Sequence, residues 1–173
     1  MKSETLKQMK KLFITRHAKS SWEDITVSDH DRDLLDVGIR RTRKVAEYIK
    51  KKGEIPDIII SSSAVRALKT ARIFAEIFDY PVENIKISPS LYGCDEDDIL
   101  DEIYGLPDET ESAMVVGHNP AFTDFANYFM KPKQQIDNLP TSGIVAIRFK
   151  TDKWTDIHLA KHKLLFKVFP KDL

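Results

Sequence analysis

Four residues carry the chemistry that this sequence offers most clearly: Arg16, His17, Arg66 and His118. Each follows a short apolar run. Leu12-Phe13-Ile14 leads into Thr15-Arg16-His17. Ile58-Ile59-Ile60 leads into Ser61-Ser62-Ser63 and on to Arg66, and Met114-Val115-Val116 leads into Gly117-His118-Asn119-Pro120. Two guanidiniums and two imidazoles in one pocket would hold an anion, because an arginine fork matches phosphate oxygens two at a time. A neutral imidazole can also act as a nucleophile. Taken singly, each residue has a plainer account. An Arg-His pair after a strand is usually a turn, Arg66 a solvated helix residue, and His118 a turn histidine with its hydrogen bonds made. The chemistry depends on whether the fold brings the three segments together.

Periodicity predicts the elements that would do so. Residues 11–15 read as a buried strand, followed by a polar loop over 20–35. Asp36 can cap a helix that runs to about residue 52 and stops at Gly53. On it Val45 and Ile49 share one face, while Arg40, Arg41, Arg43 and Lys44 face water. Residues 57–61 form a strand whose unbroken isoleucines suit burial on both faces, as in a parallel sheet. Leu68, Ala71, Phe74, Ala75 and Phe78 lie at helical spacing within 64–78. Further strands are expected at 84–88, 113–116, 144–149 and 156–160, and a helix at 95–104. Another helix opens at Asn119-Pro120, with Asn119 as cap and Pro120 at the first helical position. Strands alternating with helices argue for an α/β sandwich on a mostly parallel sheet. Ligands bind beyond the carboxyl ends of such strands. If the three strands run parallel, Arg16, His17, Arg66 and His118 point to one edge, and the helix start after Asn119 adds partial positive charge.

Composition narrows the alternatives. A chain of 173 residues, 42% hydrophobic and 31% charged, suits one domain with a single core, behind a loose lead-in over 1–10. Lys+Arg and Asp+Glu both number 27, so no global basic field draws nucleic acid or an anionic membrane. Leu12-Phe13-Ile14 is too short for a signal core or membrane span, and a cytoplasmic protein is expected. The lone Cys94 can form no internal disulfide. His30, His158 and His162 are scattered, and two arginines would repel a cation, so no metal site is expected. No G-x-S-x-G elbow supports a triad hydrolase.

The three segments resemble motifs of the histidine phosphatase (phosphoglycerate mutase-like) superfamily. Thr15-Arg16-His17-Ala18 is similar to its opening R-H-G/A. Ser61-Ser62-Ser63-Ala64-Val65-Arg66-Ala67-Leu68-Lys69-Thr70-Ala71 is similar to S-S-x-x-x-R-A-x-x-T-A, and Gly117-His118-Asn119-Pro120 to G-H-N-P. Arg16-His17-Ala18-Lys19-Ser20-Ser21-Trp22, Asp31-Arg32-Asp33-Leu34, Leu91-Tyr92 and Pro140-Thr141-Ser142-Gly143 resemble the short SixA-like phosphohistidine phosphatases. Asp33 stands where that branch usually has proline, which should loosen the loop. Ala18 stands where the wider superfamily commonly has glycine.

The resemblance implies a phosphoglycerate mutase-like three-layer sandwich with helices on both faces. It implies that His17 takes the phosphoryl group while Arg16, Arg66 and His118 bind its oxygens, with no cofactor. The implied partner is a phosphorylated protein, a histidine-containing phosphotransfer protein among the candidates, acted on by a monomer. Asp24, Asp29, Glu96 and Asp97 are the carboxylates that could serve as a general acid. A P–N substrate needs less such help, because imidazole leaves neutral when its other nitrogen is protonated. The short chain lacks room for insertions that would enclose a small metabolite. The rival readings are a small-molecule phosphomonoesterase, a phosphate-binding module without turnover, and an unrelated α/β protein in which Arg16, Arg66 and His118 lie far apart.

Overall fold

A six-stranded sheet occupies the centre, in the order β3-β2-β4-β1-β5-β6. The computed structural model describes residues 9–173. The strands are β1 (Lys10–Arg16), β2 (Ile58–Ser62), β3 (Lys86–Ser88), β4 (Ser112–Gly117), β5 (Ile144–Phe149) and β6 (His162–Val168). The helices are α1 (Asp36–Lys51), α2 (Val65–Ile77), α3 (Glu96–Tyr104) and α4 (Ala121–Tyr128). β1 pairs parallel with β4, β4 with β2, and β2 with β3. β5 runs antiparallel to both β1 and β6, so it alone opposes the other strands.

Alternation along β1 sends its side chains into two cores. Leu12 and Ile14 pack with Ile99 and Ile103 of α3 and with Phe122 and Phe125 of α4. Phe13, between them, packs with Val45 and Ile49 of α1 and with Ala71 and Phe74 of α2. Helices therefore cover both faces. This is why the isoleucines of β2 need no polar alternation.

Several boundaries differ from the sequence reading. Residues 1–8 of the expected lead-in lie outside the described residues, but Lys10 is buried and opens β1. Leu35, not Asp36, holds the cap position of α1 and makes no side-chain cap bond, leaving Asp36 as an acid in the first turn. The strand expected at 84–88 shrinks to three residues, because Val82–Asn84 forms a 3-10 turn. The strand expected at 156–160 is absent. Trp154–Asp156 is a 3-10 turn held by the buried Trp154, whose Nε1 donates to the Thr110 carbonyl at 2.9 Å. The last strand is β6, further along. Asn119 does not cap α4, and Pro120 precedes its first residue. Asn119 instead spends its side chain on tertiary bonds, from Nδ2 to the Leu139 carbonyl at 2.9 Å and to Oδ1 from the Thr123 hydroxyl at 2.8 Å. Asp33 does not loosen its loop. Its carboxylate accepts from Lys69 Nζ on α2 at 2.8 Å, and its carbonyl accepts from Ser21 N.

One glycine sets how closely a helix approaches the chain beyond β1. A Cβ on Gly38 would sit 2.5 Å from the Lys19 carbonyl oxygen and 2.9 Å from its nitrogen. Leu35 N donates to that same carbonyl at 2.9 Å, fixing the contact. Gly38→Ala should lower stability by about 1–3 kcal/mol in urea unfolding, despite alanine's better helix propensity. Gly105→Ala, where the nearest atom to a new Cβ is 3.6 Å away, should change it little. Equal behaviour of the two variants would show that the helix can back away from Lys19 without cost.

Candidate active site

The site forms where the parallel strands end. The register sets Arg16 beside Gly117, and the next residue continues it, with His17 N donating to the Gly117 carbonyl at 3.0 Å. His17 and His118 therefore stand side by side, ring centroids 5.2 Å apart. Arg16 N donates to the Gly143 carbonyl at 3.1 Å, and Ser142 N returns bonds to the carbonyls of Arg16 and His17. Arg66 enters from the first turn of α2, just beyond β2, and is 5% exposed. Its charge acts on Arg16, His17 and His118 alike. The four residues singled out in the sequence thus cluster at one edge of the sheet.

Their surroundings hold both imidazoles neutral. His17 Nδ1 donates to the Ala18 carbonyl at 2.7 Å, which leaves Nε2 with its lone pair. Burial pushes its pKa down to about 4, the Ala18 bond opposes this, and Arg66, Arg16 and Arg32 add to the depression. Burial likewise lowers His118 to about 3, with His17 and Arg66 reinforcing it. His118 Nε2 lies 2.7 Å from Ser62 Oγ, a hydroxyl that also accepts from Ala64 N at 3.2 Å. Arg16 anchors one end of its guanidinium on the Leu139 carbonyl at 3.0 Å.

Among the described residues, three buried nitrogens of this cluster have no hydrogen-bond partner: Arg16 Nε, Arg66 Nε and His118 Nδ1. A buried polar group left so costs about 1–3 kcal/mol. Three in one pocket are what a tetrahedral oxyanion would satisfy.

Sequence reasoning did not see how the cluster is held, and it considered Asp29 only as one of four carboxylates that could serve as an acid. Asp29 accepts from Arg66 through its main-chain carbonyl at 2.6 Å and its carboxylate at 3.1 Å. The same carboxylate accepts from the Tyr92 hydroxyl at 2.7 Å and from Arg32 Nε at 3.1 Å. Tyr92 and the guanidiniums of Arg66 and Arg32 bring its pKa down to about 2. Arg32 is itself buried, bonded to Ser20 Oγ at 2.8 Å and stacked 3.4 Å from the centre of the Trp22 ring. The hydroxyl of Thr70 accepts from Ala18 N at 2.9 Å and donates to the Arg66 carbonyl at 2.6 Å. Asp31-Arg32-Asp33-Leu34 and Leu91-Tyr92 were visible as motifs, but nothing in their spacing marks Asp29 as the carboxylate on which they meet. Of the four carboxylates considered as acids, Asp29 is the one in contact with the cluster, and it is held ionised. Asp24 turns away to bind Thr26, and Glu96 and Asp97 sit on the exposed first turn of α3.

Comparisons with known proteins agree with this geometry. A sequence model of the Histidine phosphatase superfamily (branch 1) matches residues 12–91. A chloroplastic protein of Arabidopsis thaliana, itself uncharacterised, is 31% identical over 128 residues, 68% of this chain and 58% of that protein. The chain thus spans little more than half of that relative. A protein assigned as the phosphohistidine phosphatase SixA of Nakamurella multipartitia has the same fold, with a TM-score of 0.79 at 20% identity over 94% of this chain and 96% of that one. The protein histidine phosphatase SixA complexed with tungstate superposes with a TM-score of 0.77 at 20% identity, covering 94% of this chain and 98% of that one. Among the described residues no helix is long and apolar enough to cross a membrane. Over residues 12–91 the chain is thus similar in sequence to the histidine phosphatase superfamily, and in fold to the SixA structures.

Proposed function

We propose that the protein is a phosphatase that hydrolyses phosphohistidine on proteins through a phosphoryl intermediate on His17. The observation that carries this reading is the set of unpartnered nitrogens on Arg16, Arg66 and His118 around a histidine whose Nε2 is free. Both SixA structures with this fold are named as phosphohistidine phosphatases or protein histidine phosphatases, which agrees with the substrate class.

The chemistry follows from proton accounting. His17 Nε2 attacks phosphorus, and the bond from phosphorus to the leaving nitrogen breaks. The substrate imidazole departs neutral when its other nitrogen carries a proton. His17 then bears phosphorus on Nε2 while Nδ1 keeps its proton, donated to the Ala18 carbonyl. Water attacks the phosphoryl group, the P–Nε2 bond breaks, and dihydrogen phosphate leaves His17 as it began. Two guanidiniums and His118 stabilise the phosphoryl oxygens, so the step calls for no metal.

Ser62 decides which nitrogen of His118 faces those oxygens. Its oxygen accepts from Ala64 N, and among the described residues its own proton has one acceptor in hydrogen-bond reach, His118 Nε2. The imidazole proton then sits on Nδ1, the unpartnered nitrogen, as a donor. The state of Asp29 supports a P–N substrate. A carboxylate held near a pKa of about 2 by Tyr92 and two arginines cannot protonate an alkoxide at neutral pH. A P–N bond, with a neutral leaving group, does not require it.

Three measurements test this. Wild type should release phosphate from a histidine-phosphorylated protein faster than from p-nitrophenyl phosphate without added metal, and His17→Ala should lose at least about 1,000-fold on both. Faster turnover of the ester would make the protein a small-molecule phosphomonoesterase. Binding of phosphate without hydrolysis of either would make it a phosphate-binding module. Secondly, the acid limb of kcat/KM for the ester should fall near pH 4, where His17 gains its proton, and not near the free-histidine value of 6.5. A limb at 6.5 would remove burial from the account of His17. Thirdly, Ser62→Ala should move the His118 proton from Nδ1 toward Nε2 in imidazole nitrogen NMR and lower kcat about tenfold. An unchanged tautomer would detach Ser62 from the mechanism.

A further inference from the structure

The cleft at His17 continues beyond the four core residues. Lys19, Trp22, Arg32, Arg41 and Thr141 line its mouth, an opening of about 320 Å³. Arg41 and Thr141 also line the next depression, together with Lys44, Pro140, Phe169 and Lys171. The two share a wall and form one groove, running from the sheet edge across the outer side of α1 to the 3-10 turn at Pro170–Asp172.

The charged side chains along this groove have one sign, and Leu173, which bears the terminal carboxylate, lines its far end. No Asp or Glu side chain lines either depression. Lys19, Arg41, Lys44 and Lys171 are exposed and, among the described residues, make no salt bridge. On the same helix Arg43 pairs with Glu76 and Lys50 with Asp79. With 27 basic and 27 acidic residues in the chain, an unmatched row of four is a local arrangement, not the overflow of a basic protein. Four like-charged side chains, outnumbering the single terminal carboxylate, favour an anionic occupant. The groove also offers apolar contact. Phe169 and Pro140 lie in its floor, and Trp22, 73% exposed and backed by Arg32, stands at the pocket end. Flat aromatic surface beside unpaired cations suits a polypeptide with acidic side chains.

We propose that this groove receives an acidic segment of the phosphorylated protein whose phosphoryl group enters the His17 pocket. The inference rests on the phosphoprotein reading above for its substrate, but the groove can be tested without turnover. A fluorescein-labelled Glu-rich peptide, its Gln counterpart and an oligothymidylate serve as probes in fluorescence anisotropy, at low and high salt. The Glu peptide should bind more tightly than the other two and weaken as salt rises. Lys44→Glu combined with Lys171→Glu should weaken it at least about tenfold. Lys44→Gln with Lys171→Gln should give a smaller loss in the same direction, which covers a charge reversal that fails to fold. In turnover, the reversal should lower kcat/KM for a histidine-phosphorylated acidic protein by a similar factor, mostly through KM, and leave p-nitrophenyl phosphate within about twofold. Equal binding of the Glu and Gln peptides, preference for the oligothymidylate, or indifference to both double variants would each overturn the proposal. If wild type fails to hydrolyse the phosphoprotein, the substrate reading falls, and the peptide titrations alone decide the groove.

Discussion

The parallel pairing of β1 with β4 continues one residue past the last strand position, where His17 N meets the Gly117 carbonyl. Everything at the site hangs from that bond. It sets the end of one strand level with the end of the other, so the first side chains beyond the sheet are two imidazoles facing each other. Gly117 itself must lack a side chain, because a Cβ there would fall 2.3 Å from the ring of Phe122, which seals the core behind the pocket. β5, the one opposed strand, closes the other side by passing its turn residues Ser142 and Gly143 under Arg16.

A pocket so built gathers positive charge, and the surrounding residues manage that charge in two ways. Burial, with neighbouring guanidiniums, keeps His17 and His118 uncharged. One carboxylate, Asp29, answers Arg66 and Arg32 together, and Tyr92 locks it in the ionised form. Among the described residues Arg16 has no such partner. It is anchored by a main-chain carbonyl and loses basicity through burial and the nearby Arg66. The result is a site with cationic forks and a neutral imidazole, His17, whose Nε2 carries no proton.

Much of this was legible in the sequence because it rests on local rules. Three apolar runs ending in polar turns gave the strands and their common edge, and the motif residues Arg16, His17, Arg66 and His118 arrived together as expected. The uninterrupted isoleucines of β2 announced burial on both faces. What escaped was set by distant contacts. Trp154 reaches across the chain to Thr110 and turns an expected strand into a 3-10 turn. Asn119, a natural helix cap by composition, is drawn to Leu139 and Thr123 instead. Asp29 lies in a loop among several acids, and only the fold selects it. Asp33, in a place where proline is usual, replaces ring rigidity with a bond to Lys69.

The Thr70 hydroxyl has a consequence of its own. It takes the Ala18 amide proton and gives its own to the Arg66 carbonyl, so one oxygen ties the chain beside His17 to the helix that carries Arg66. Neither segment can shift without breaking a buried bond of the other. A phosphoryl group arriving here meets a mould already cast, with little left for the protein to rearrange. Between these two segments, at least, there is no play with which to tell one substrate from another.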